Sequence, residues 1–82
     1  MDAGEFVGEL CRMTRAGELD WTVEHYMNGA TYEAVNGKDR SVFVKRGFVF
    51  LLDGERRHMF SVNTQELEAA IWWWELERRC RR

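Results

Sequence analysis

NGATYEAVNGKDRSVFVKRGFVFLLDG, residues 28–54, decides the fold class. Four dipeptides punctuate it: Asn28-Gly29, Asn36-Gly37, Arg46-Gly47 and Asp53-Gly54. Asn-Gly and Asp-Gly suit tight hairpin turns, because both members tolerate positive φ. Arg46-Gly47 suits a two-residue turn less well, so a three-residue Lys45-Arg46-Gly47 loop is expected, with Gly47 in the left-handed position of a bulge. The spacings of 8, 10 and 7 residues between the glycine pairs fit a meander of short antiparallel strands. Strands are expected at about 19–26, 31–35, 40–45, 48–52 and 56–62, five in preference to four, the lower count applying if one turn is only a bulge.

The first hairpin offers an internal check on register. A two-residue Asn28-Gly29 loop sets Tyr26 opposite Thr31, His25 opposite Tyr32, Glu24 opposite Glu33 and Val23 opposite Ala34. Period-two alternation then gathers Leu19, Trp21, Val23, His25, Tyr32 and Ala34 on a core face. Asp20, Thr22, Glu24, Tyr26, Thr31, Glu33 and Val35 form the opposite, polar face. The next hairpin behaves differently. SVFVK (41–45) and FVFLL (48–52) are apolar at odd and even positions alike, the pattern of strands buried on both faces. Helices on one side of a single sheet cannot cover both faces, so apolar surface is left over.

Helical segments flank the meander. Asp2 with Glu5 three residues later forms a helix-start signal, and Phe6, Leu10 and Met13 recur at helical spacing up to Gly17, which predicts helix one over about residues 2–16. Asn63 as cap with Glu66 completing the box, or else Thr64, starts a second helix running to about Cys80. Glu75–Arg79 and Glu77–Arg81 are i,i+4 pairs in the favourable order, and the terminal arginines complement the helix dipole. The expected whole is one α+β domain over residues 1–82: N-terminal helix, four- to five-stranded antiparallel meander, C-terminal helix, both helices on one face of the sheet.

The last helix contains Trp72, Trp73 and Trp74 in succession. With Trp72 at 0° and about 100° per residue, Leu67, Ala70, Ile71 and Trp74 fall between about 160° and 260°, one core-facing stripe. Ala69, Trp72, Trp73, Leu76 and Cys80 fall between about 0° and 100°, a second stripe nearly opposite. Helix one, packed alongside, is expected to cover Trp73. Trp72 and Leu76 have no evident partner within the chain, which makes Trp72, Trp73 and Leu76 a candidate protein interface. The acidic face of the first hairpin, Asp20, Glu24, Tyr26 and Glu33, is a second candidate surface, attractive to a basic partner.

Composition bounds the chemistry. Hydrophobic residues at 45% and charged residues at 32% argue for a folded globular chain. No segment reaches the roughly 18 uninterrupted apolar residues of a membrane span, and MDAGEFVGEL lacks the basic start of a secretory signal. A cytoplasmic location and no membrane partner are therefore expected. The net charge of −2 conceals a division: residues 1–37 carry two Arg against seven acids, and residues 38–82 carry ten Lys/Arg against seven acids. Cys11, Cys80, His25 and His58 stand singly, with no zinc-type spacing and no nucleophile–base pairing. Phosphate loops, nucleophile elbows and zinc-protease helices are absent. No enzyme, cofactor or metal is expected.

Nucleic acid is the alternative partner, through Lys45, Arg56, Arg57, Arg78, Arg79, Arg81 and Arg82 on a phosphate backbone. The element order resembles the double-stranded-RNA-binding domain, yet the last helix opens NTQELEAA, acidic where that domain is basic. The layout also resembles small accessory proteins of phages and mobile elements, which pair a first helix ending in a GELDW-like segment (17–21 here) with a β-meander and a closing helix. It is similar to compact anti-defence inhibitors, anti-CRISPR proteins among them. That resemblance implies an inhibitor that binds and blocks a host complex, in the host cytosol; the residues themselves lead to a non-enzymatic binding protein, homodimeric, that inhibits or adapts a larger complex.

Overall fold

The computed structural model describes residues 2–27, 29–35 and 39–80. Its elements are α1 (Ala3–Arg15), β1 (Trp21–Tyr26), β2 (Gly29–Val35), β3 (Arg40–Lys45), β4 (Phe48–Asp53), β5 (Arg56–Ser61) and α2 (Gln65–Cys80). The five strands form one antiparallel sheet in the order β1-β2-β3-β4-β5, the α+β meander expected. The Asn36–Gly37 turn, the Glu77–Arg81 pair and the predicted roles of Arg81 and Arg82 lie outside the described residues.

Both ends of α1 are written in the sequence. The Asp2 carboxylate accepts from the Glu5 backbone N–H at 2.8 Å, capping the first turn. At the other end Gly17 has φ 75, and its N–H reaches Thr14 O at 3.2 Å while Glu18 N–H reaches Met13 O at 2.9 Å. These two bonds are the Schellman pattern, which satisfies carbonyls the helix leaves free.

The turns sit on the glycine pairs or one position away from them. Tyr26 pairs with Gly29, so Gly29, at φ 128, already belongs to β2 and is not part of the loop. The register is Val23↔Tyr32, Glu24↔Thr31 and Thr22↔Glu33, displaced by two residues from the expected pairing. A slip of two preserves which side chains share a face, so the core and polar faces survive it. It also separates Glu24 from Glu33, which removes the directly opposed carboxylates. Likewise Lys45 pairs with Phe48, so Arg46–Gly47 is a two-residue loop and not the three-residue one expected. Asp53 pairs with Arg56, leaving Gly54–Glu55 as the last turn. In each case the glycine takes the one position that needs positive φ.

The core lies between the sheet and both helices. Trp21, Tyr32, Ala34, Val42, Val44 and Val49 face inward and meet Val7, Leu10 and Cys11 of α1 and Leu67 and Ile71 of α2. Phe6 of α1 packs on Phe60 of β5, ring centroids 6.0 Å apart. A buried relay joins α1 to β1: the Trp21 indole N–H donates to Thr14 Oγ1 at 3.0 Å, and that hydroxyl donates to Leu10 O at 2.7 Å.

The start of α2 decides between the two expected caps. The helix begins at Gln65, so Thr64 holds the cap position in place of Asn63. Asn63 Oδ1 accepts only from Gln65 N–H, at 2.9 Å. The buried Thr64 hydroxyl accepts from Gly47 N–H at 3.0 Å and donates to Glu68 at 2.8 Å. That tether, to a turn 17 residues away, fixes where α2 leaves the sheet, and no local cap box could encode it.

Candidate interaction surfaces

The tryptophan run divides by direction on α2. Leu67, Ala70 and Ile71 are buried, and Trp74 packs against the core. The opposite stripe of Ala69, Trp73, Leu76 and Cys80 is exposed. Trp73 is 67% exposed, so α1 does not cover it. Arg15, the last residue of α1, lines a cleft with Trp73 and Trp74.

Trp72, by contrast, has partners in the chain. Its indole N–H donates to the Tyr32 hydroxyl at 3.0 Å, and its ring lies 5.2 Å from that of His25. One half is therefore held by the sheet, and 50% remains exposed. Leu76 stays exposed, as its angular position implies.

Tyr32 links this edge to a pH dependence. Burial pushes its phenol above the ordinary tyrosine value, with Glu68 and Glu75 adding to the rise and the Trp72 hydrogen bond opposing it. A raised folded-state pKa means stability is complete below about pH 10 and is lost as the solution becomes more alkaline. Tyr32→Phe should flatten that alkaline decline, read as the urea midpoint against pH. An unchanged slope would contradict the assignment. Tyr26 is also pushed up, by its hydrogen bond to Glu24. It remains in the variant, so the comparison isolates Tyr32.

The second apolar surface is the uncovered face of the sheet. Phe43, Phe50 and Met59 stand in register across β3, β4 and β5. Phe50 meets Phe43 edge-on at 5.8 Å and Phe48 at 6.4 Å. Val35 and Leu52 extend the band along the strands, and Met59 is 62% exposed. Sequence reasoning left these residues out of the candidate site, although the two-faced apolar pattern of SVFVK and FVFLL is their signature.

The acidic hairpin is the flank of this same face. Thr22, Glu24 and Tyr26 of β1 and Glu33 of β2 point outward, and Glu33 is the cross-strand partner of Phe43. The Tyr26 hydroxyl donates to Glu24. Asp20 is not part of it: Arg78 of α2 binds its carboxylate at 2.6 Å on the helical side.

The basic residues are dispersed. Arg78 pairs with Asp20 and stacks over Trp74, its guanidinium 4.7 Å from the ring centroid. Arg79 pairs with Glu75 at 2.6 Å. Arg56 lies opposite Asp53 on the helical side of the sheet, whereas Lys45 and Arg57 share the open face. Those two are separated by two strands and by about 14 Å along the strand direction. No continuous cationic track joins these residues.

Among the described residues, no group of three His, Cys, Asp or Glu could hold a metal ion. His58 sits on the edge strand opposite Leu51. Cys11 is buried, which pushes its thiol up, and Cys80 is exposed. No described helix is long and apolar enough to cross a membrane. No family model matches the chain, and neither a curated protein nor a solved structure matches it.

Proposed function

We propose that this chain is a non-enzymatic protein-binding module that inhibits or adapts a larger complex, with the exposed stripe of α2 as its contact surface. The observation that carries this reading is Trp73. It stands two-thirds exposed beside Leu76 on a helix whose other stripe packs into the core through Leu67, Ala70, Ile71 and Trp74. A rigid helix presents such an indole at little entropic cost, which is the property of an interface anchor. Packing within the chain gives no reason to keep Trp73 and Leu76 on that side, since the core is met by Leu67, Ala70, Ile71 and Trp74.

The layout resembles that of phage anti-defence inhibitors, which makes a host defence complex the first target to test. The nucleic-acid reading has less support, because Arg78 and Arg79 are engaged within the chain and Lys45 and Arg57 stand apart. The test is capture by the tagged full chain from its native cell, followed by measured affinity for the purified partner. Trp73→Glu should weaken that affinity at least tenfold, about 1.4 kcal/mol, while Arg57→Glu should not change the α2 contact. Equal affinity for wild type and Trp73→Glu would refute the assignment of the surface.

A further inference from the structure

The open face of the sheet poses a separate question, because it lies on the opposite side of the molecule from α2. We infer that a second copy of this chain covers it, the two sheets packing face to face about a two-fold axis into a four-layer α/β/β/α dimer. The inference deepens the binding-module reading: it gives the sheet to self-association and leaves the α2 stripe for the target.

Size is the first argument. Five strands of six or so residues, at about 4.8 Å between strands and 3.4 Å per residue, present a face of roughly 20 by 24 Å. The α2 stripe is about 24 Å long but only one helix wide, so it offers about half that footprint. A stable contact buries about 800 Å² per partner. The sheet face comes nearer to that than the helix stripe does, and side-chain relief adds to its plan area.

Charge is the second. The open face is apolar in the middle, with Glu24 and Glu33 on the β1–β2 side and Lys45 and Arg57 on strands β3 and β5. Among the described residues Glu33, Lys45 and Arg57 form no ion pair. A two-fold contact must be complementary to itself. An axis along the strands, between Phe43 and Phe50, lays β2 over β5 of the second copy. Phe43 then meets Phe50, and Glu33 comes over Met59, with Arg57 at the next same-face position of that strand, about 7 Å further along and within reach of its long side chain. The dimer then holds two Glu33 and two Arg57 facing one another in pairs about the axis, while β1 overhangs the edge. Aligned sheets packed about 10 Å apart, with strands crossing near −30°, accommodate side chains of this size.

Sedimentation equilibrium of the full chain at micromolar concentration tests the inference, with cooperative thermal melts confirming that each variant is folded. Wild type should be a dimer, and Trp73→Glu should leave it one. Met59→Glu and Glu33→Arg should each raise the dimer dissociation constant at least about tenfold. The double exchange Glu33→Arg with Arg57→Glu should recover most of the loss, because it restores opposite charges across the axis. A monomeric wild type overturns the inference, as does a dimer broken by Trp73→Glu but not by Met59→Glu. A monomer that still captures its target through Trp73 refutes only the dimer. A dimer with no dependence on Trp73 for target capture refutes only the function proposed above.

Discussion

Ile71→Ala is expected to lower the stability of the fold by about 2–5 kcal/mol, the range for truncating a buried aliphatic side chain. Ile71 is completely buried between α2 and the sheet, among Leu67, Val44 and Val49, which are also fully enclosed. Removing its outer carbons forfeits transfer free energy and leaves a void that two helices on one sheet cannot close. A domain of this length has roughly 4–12 kcal/mol in total, so the variant should melt far below wild type or fail to fold at moderate temperature. Trp73→Ala, two positions along the same helix, removes a much larger side chain, yet should change stability by only about 0.5 kcal/mol. Urea denaturation at one protein concentration measures both. A large loss for Trp73→Ala would mean that the ring is covered within the chain.

The second large effect belongs to Trp21. Trp21→Ala should cost about 3–5 kcal/mol, since the indole is buried where α1 crosses the first strand. Its N–H also terminates the relay through Thr14 to Leu10 O. Thr14→Val keeps the volume but strands that indole N–H without an acceptor, at about 1–3 kcal/mol. The two losses should not add, because the orphaned donor disappears when Trp21 is itself removed. A double-mutant cycle by urea denaturation reads the coupling, and strict additivity would contradict the relay.

These effects also mark how far the sequence could be read. Element order and strand faces were legible because hydrophobic periodicity is local: Trp21, Tyr32 and Ala34 alternate inward whichever residue begins the turn. The register was not, since Tyr26 opposite Gly29 or opposite Thr31 leaves every face unchanged and only pairing geometry separates them. The choice between Asn63 and Thr64 as the cap of α2 was not legible, because the Thr64 hydroxyl is held by Gly47, a contact with no trace in local spacing. Angular position alone located Leu76 on the surface and Trp74 against the core. It could not foresee that His25 and Tyr32 reach Trp72, or that α1 leaves Trp73 exposed. Asp20 left the acidic surface for a comparable reason: its partner Arg78 is 58 residues away. The apolar open face was implied by the two-faced strands, but its extent needed the register that aligns Phe43, Phe50 and Met59.

The claim on which the rest depends is that both uncovered apolar surfaces are contacts, each with its own occupant. A photo-crosslinking phenylalanine analogue, placed at Trp73 in one version of the full chain and at Met59 in another, tests it inside the native cell. The account predicts an adduct between position 73 and a different protein, and between position 59 and a second copy of the chain. Recovery of the folded chain without an adduct at either position would contradict it.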